Sequence, residues 1–188
     1  DSILIHAAAS GVGTAAIQLA NAAGARAFGT SRSLEKLERA RQLGLAEFVV
    51  VTADPNVIIN AVKDWTAGQG VNVILDLVGA AYLEANLAAL SLRGHLLLVG
   101  TTSGSQAVMD FAIVMQKRLT VQGTVMRARS RQEKAAATQL FTSHVVPLLT
   151  QGKIRPVIDT IYSMDQIREA HTRLESNQTF GKLVLKIA

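Results

Sequence analysis

Ile3-Leu4-Ile5-His6-Ala7-Ala8-Ala9-Ser10-Gly11-Val12-Gly13-Thr14-Ala15-Ala16-Ile17 is an apolar run, a turn of small side chains and an alanine-rich stretch of helical period. It reads as a strand feeding a helix through a tight turn. Only small side chains let backbone approach a pyrophosphate closely, and a helix N-terminus offers free N–H groups and a positive dipole end to that anion. Against the dinucleotide fingerprint G-x-G-x-x-G, Ala8 and Ser10 stand where the first two glycines would be, and Gly13 is retained. A nucleophile elbow around Ser10 needs glycine at positions 8 and 12, but Ala8 and Val12 occupy them. A P-loop needs a lysine at its end, and none follows this turn. A turn that only packs a helix on a strand remains open beside the dinucleotide reading.

Outward from this unit, short β-branched runs alternate with helical stretches, the pattern of βαβ units and a parallel sheet. The strands are expected at Ile3–His6, Arg26–Thr30, Glu47–Val51, Val71–Val78, His95–Val99 and Thr120–Val125. Helices are expected at Thr14–Ala23, Leu34–Leu43, Asn56–Trp65, Tyr82–Leu90 and, more loosely, Asp110–Lys117. Val71–Val78 is almost continuously apolar, as a strand covered on both faces must be. The fold class is therefore α/β, a doubly wound six-stranded parallel sheet with helices on both faces. Gly24, Gly44 and Gly94 are expected to close helices. After Val125 the spacing predicts one long helix over Arg131–Gln151 with Pro147 inside it, then a strand at Val157–Tyr162. A short helix follows, opened by the capping box Ser163-x-x-Gln166, and a last strand at Lys182–Lys186. This tail need not join the main sheet.

The composition fits. Of 188 residues 49% are hydrophobic and only 18% charged, which is too apolar for a disordered chain. The 19 Lys+Arg against 14 Asp+Glu leave a net charge of +5, dispersed along the chain, and aromatics at 4% leave little for base stacking on a polynucleotide. No nucleic-acid partner is expected; a smaller anion is. Charged or amide residues interrupt every apolar run before the length of a membrane span, so no membrane partner is expected either. The lack of cysteine excludes disulfides and thiolate metal sites within the chain and fits a reduced, cytoplasmic setting. His6, His95, His144 and His171 show no ligand spacing, so no metal is expected.

The end of the second strand selects the dinucleotide. A fold that prefers NAD places an acid there, about 20 residues beyond the glycines, for the ribose 2′-hydroxyl. Here the chain reads Thr30-Ser31-Arg32-Ser33-Leu34-Glu35-Lys36. Ser31, Arg32, Ser33 and Lys36 offer hydroxyls and two cations, the chemistry of a 2′-phosphate site, so NADPH is expected over NADH; solvated charges at a helix start are the alternative.

These residues resemble the medium-chain dehydrogenase/reductase superfamily, in its zinc-free quinone oxidoreductase branch and closest to the p53-inducible subgroup. His6 to Leu19 is similar to that branch's pyridine-nucleotide turn, and Leu75-Asp76-Leu77-Val78-Gly79 and Gly94 to Gly100 look like its fourth and fifth strands. The resemblance implies a Rossmann fold of strand order 3-2-1-4-5-6 and hydride transfer from NADPH to a quinone or an α,β-unsaturated carbonyl. It implies that Ser10, Gly11, Val12 and Gly13 meet the pyrophosphate and that Ser31, Arg32 and Lys36 meet the 2′-phosphate. Val78, Gly100, Thr101 and Met126 would line the nicotinamide, with Asn177 a further contact. Relatives often place a tyrosine against the adenine after the third strand, where this chain has Val51-Thr52. The resemblance divides the chain into a nucleotide-binding domain, 1–150, and a segment, 151–188, that returns to a GroES-like catalytic domain ahead of Asp1. The catalytic residues are unassigned, and the chain alone is expected to be inactive. Thr120–Val125 is expected to be an unpaired edge or, as the resemblance implies, the seam of a homodimer.

A binding module without chemistry, serving as an NAD(P) sensor or scaffold, is the alternative in a different class. A short-chain dehydrogenase would need Tyr-x-x-x-Lys, but Asn86 and Gln166 stand at that spacing from Tyr82 and Tyr162.

Overall fold

The computed structural model describes residues 1–187. It contains β1 (Ser2–Ile5), α1 (Gly11–Ala22), β2 (Arg26–Ser31), α2 (Leu34–Arg41), β3 (Leu45–Val50), α3 (Val57–Trp65) and β4 (Val71–Asp76). After a 3-10 turn at Ala80–Tyr82 come α4 (Leu83–Ala89), β5 (Leu90–Leu98), α5 (Phe111–Lys117) and β6 (Thr120–Gly123). The tail forms α6 (Arg131–His144), α7 (Val146–Thr150), β7 (Ile158–Ser163), α8 (Ile167–Glu175) and β8 (Lys182–Lys186). Six strands make one sheet in the order β3-β2-β1-β4-β5-β6, every pair parallel. This is the doubly wound Rossmann arrangement, with β6 free along one edge.

Alternation along the strands builds two cores. Leu4 and Phe28 point to one face, where Ile58, Val62 and Leu87 of α3 and α4 cover them. Their neighbours Ile5 and Ala27 point to the other, under Ile17 of α1 and Leu37 of α2, with Phe180 of the tail closing that side. A parallel sheet carries helices on both faces because its crossovers leave them there. No helix among the described residues is long and apolar enough to cross a membrane.

Several boundaries move for local reasons. Helix α1 begins at Gly11 rather than Thr14, because the Ser10 side chain caps it by accepting from Gly13 N at 3.0 Å. Strand β4 stops at Asp76 instead of Val78, since the Asp76 side chain takes the Val78 and Gly79 N–H groups out of the ladder at 2.6 and 3.0 Å. Gly24 and Gly44 do end helices, with φ of +74° and +95°. Gly94 does not: it lies inside β5, which starts at Leu90 and bulges around Arg93. The long helix breaks in two. The Pro147 ring cannot continue the hydrogen-bond ladder of α6, so α6 stops at His144 and Pro147 sits in the first turn of α7. The tail makes its own sheet of β7 and β8, tied back by Gly181 N donating to Ala9 O at 2.9 Å.

Phe28 is fully buried, its ring 5.2 Å from that of Trp65. Phe28→Ala is expected to lower unfolding free energy by about 3–5 kcal/mol. Leu92→Ala, at a side chain 58% exposed, should change it by no more than about 0.5 kcal/mol. Urea titration followed by Trp65 fluorescence measures both.

Candidate functional site

Strand β1 is paired with β2 on one side and β4 on the other, and the connections after β1 and β4 leave toward opposite faces, to α1 and α4. That reversal opens a crevice at the strand C-termini. A cleft of about 820 Å³ lies there. Its floor and walls come from Ala7, Ala9 and Ser10 after β1, Thr30 to Ser33 and Lys36 at β2 and α2, and Val78, Ala81 and Tyr82 after β4. Thr102 and Ser103 after β5 and Asn177 and Thr179 of the tail complete it. A smaller cavity of about 460 Å³ between α1, α2 and residues 152–155 is a structural joint. There Gln18 donates to Arg155 O at 3.0 Å and accepts from Arg155 N at 2.9 Å, which commits its amide.

Six of the residues expected from the sequence border the cleft: Ser10, Ser31, Arg32, Lys36, Val78 and Asn177. Gly13 stands behind the turn, where a Cβ would come within 2.5 Å of Ala7 O and 2.6 Å of Ala8 O. Gly11 packs against the Lys182 side chain, and Val12 is 41% exposed. Gly100 and Thr101 follow β5, and Met126 follows β6 with its side chain 53% exposed; none of the three borders this cleft.

The cations at the β2 end make no salt bridge, although the Asp159 and Glu35 carboxylates act on Lys36 from a distance. Among the described residues the ion pairs are Arg41 with Glu38 and Glu47, and Arg173 with Asp159, so neither Arg32 nor Lys36 has a carboxylate partner. The Lys36 ammonium instead donates to the backbone carbonyl of Asn177. Partial burial, and then the Arg32 charge, push its pKa below the ordinary lysine value. Two neighbouring cations on a concave polar surface are electrostatically prepared for an anion.

Sequence reasoning missed what lies beneath this surface. His6 Nδ1 is 2.9 Å from Thr30 Oγ1 and His6 Nε2 is 2.6 Å from Asn86 Oδ1. Asn86 Nδ2 in turn donates to Asp76 Oδ2 at 3.0 Å. The directions follow from the acceptor at the end. Because Asn86 spends its amide N–H on Asp76, its oxygen must accept, so His6 carries its proton on Nε2. In the neutral ring Nδ1 then accepts from the Thr30 hydroxyl. Burial is the main force on His6 and holds its pKa below the usual histidine value. The only hint in the sequence was a histidine at the end of an otherwise apolar strand.

The family profile of the zinc-binding dehydrogenases matches residues 11–143. A quinone oxidoreductase of Salmonella typhimurium is 33% identical over 193 aligned positions, covering 98% of the chain and 56% of that protein. The solved quinone oxidoreductase of Escherichia coli, complexed with NADPH, has a TM-score of 0.79 at 29% identity, over the whole chain and 57% of its own length. An NAD-dependent alcohol dehydrogenase has a TM-score of 0.84 at 33% identity, over the whole chain and 51% of its own. The chain thus spans little more than half the length of these relatives. Fold and cleft are those of a dinucleotide-binding domain. The chain belongs to the zinc-binding dehydrogenase family. Among its described residues no group of three or more His, Asp or Glu side chains is placed to hold a metal ion.

His6 is expected to make the fold acid-sensitive. Its folded pKa lies below the unfolded value of about 6.5. Its contribution is therefore present above pH ~6.5 and is lost as pH falls from there toward the folded value, where the unfolded chain alone takes up the proton. The urea midpoint should fall between pH 7 and pH 5, and His6→Asn should flatten that dependence. Equal slopes in the two proteins would remove His6 as its source.

Proposed function

We propose that the chain is the NADPH-binding part of an oxidoreductase that reduces quinones or α,β-unsaturated carbonyls. The observation that carries this reading is the pair Arg32 and Lys36, standing without carboxylate partners at the end of β2 where an acid would select NAD. The E. coli relative solved with NADPH supports it. The residues fit the group: the small side chains of the turn and the tight packing behind Gly13 leave backbone at the cleft surface.

On this reading Ser10, Gly11, Val12 and Gly13 hold the pyrophosphate with the first N–H groups of α1. Ser31, Arg32 and Lys36 hold the 2′-phosphate, and Lys36 exchanges the Asn177 carbonyl for a phosphate oxygen. Val78, Gly100, Thr101 and Met126 border the nicotinamide, with Asn177 on the tail side. When bound, the reduced nicotinamide supplies the hydride. This chain's residues bind and orient the cofactor, while the acceptor is met largely by a GroES-like domain to which residues 151–188 return. The same reading carries a cytoplasmic setting, a small-molecule quinone or enone as partner, and a homodimer through the β6 edge, where Val125 is 60% exposed.

Calorimetric titration tests the cofactor. NADPH should bind more tightly than NADH. Arg32→Ala and Lys36→Ala should each weaken NADPH by about 10- to 100-fold, the value of a hydrogen bond to a charged group, and leave NADH nearly unchanged. Equal affinities in the unaltered protein would overturn the 2′-phosphate assignment. Light scattering tests the seam: a dimer that Val125→Lys, at an exposed side chain, dissociates is expected, and a monomer overturns it.

A further inference from the structure

We propose that Tyr82 is the base platform of the cleft, the aromatic face on which the adenine of the dinucleotide stacks. The inference rests on the reading of the cleft as a dinucleotide site. Base recognition by stacking needs an aromatic surface held still beside the phosphate-binding groups. After β3 this chain has Val51, 3% exposed and committed to the core, and Thr52, which does not border the cleft. Among the cleft's lining residues Tyr82 alone is aromatic. It shares that lining with Arg32 and Lys36, as it must if it serves the adenine, because base and 2′-phosphate hang on one ribose.

The ring is positioned in advance. Its backbone N–H donates to Gly79 O at 2.9 Å, and Gly79 is anchored by the Asp76 side chain. Ala81 N donates to Ser103 Oγ at 3.0 Å, which pins the preceding residue to the loop after β5. The ring meets the His6 imidazole in an edge arrangement, centroids 4.9 Å apart and planes at 76°. His6 is itself locked on both nitrogens. The Tyr82 hydroxyl makes no hydrogen bond among the described residues, and partial burial raises its pKa above the usual phenol value. A platform already ordered loses little entropy when a base settles on it. Tyr82 is thus the anchor for the base, as Arg32 and Lys36 are for the phosphate.

The test uses the full chain, titrated calorimetrically with NADPH, NADH and adenosine 2′,5′-bisphosphate. Tyr82→Leu should weaken all three by one common factor of about 5- to 100-fold, the range of a lost stacking contact. Tyr82→Phe should bind as the unaltered protein does. In Tyr82→Trp, the new indole should be quenched by the bisphosphate, against the constant signal of Trp65, the chain's only tryptophan. Leucine binding the bisphosphate as tightly as tyrosine, or an unquenched indole in a protein that binds it, overturns the inference and leaves the dinucleotide reading standing. An unaltered protein that binds none of the three overturns both.

Discussion

Across the C-terminal edge of the sheet, four side chains that solvent scarcely reaches are hydrogen-bonded end to end: Thr30 of β2, His6 after β1, Asn86 of α4 and Asp76 of β4. Buried polar groups cost free energy when unpaired and stiffen a site when all are paired. Here the chain closes at both ends. Asp76 takes the backbone N–H groups of Val78 and Gly79, and Thr30 O takes that of Ala8. Three turns that wall the cleft are thereby set from underneath, and the ring of Tyr82 rests against the middle of the chain. Loosening any member would move several walls at once.

Above this floor stand two cations that make no salt bridge. Arg32 and Lys36 share a concave surface without a carboxylate partner, and the Lys36 ammonium is held meanwhile by the carbonyl of Asn177, a residue of positive φ near the end of the tail. The tail is therefore part of the cleft surface, although its two strands lie in a separate sheet. Asp159 shows how it is fixed: its side chain accepts from Arg173 at 2.7 Å and from Phe180 N at 3.1 Å, and Phe180 plugs the core beneath α1 and α2. Packing of one apolar ring so determines where Asn177 and Thr179 meet the cleft.

Much of this was legible in the residues. The turn at Ser10 to Gly13, the cations after β2 and the βα alternation are local features, and each appears where the sequence puts it. The Ser163 and Gln166 capping box forms as expected. What slipped was also local but hinged on competition: Asp76 drawing backbone N–H groups out of a strand, Ser10 capping a helix a turn early, and Pro147 breaking a helix whose pattern continues through it. The Ser130 and Glu133 capping box at the start of α6 went unread, though its spacing is in the sequence.

The sequence by itself determined the class of fold, because alternation of period 2 and period 3.6 with apolar strands leaves a doubly wound sheet as the economical way to bury both faces. It also determined the sign of the charge at the β2 end. Only the tertiary structure decided which residues share the cleft with that charge. His6 and Asn86 lie 80 positions apart, Lys36 and Asn177 141, and Tyr82 reaches the cleft through a 3-10 turn anchored on Asp76. Such partners are selected by strand order and register, which are properties of the packed sheet and not of any local stretch of chain.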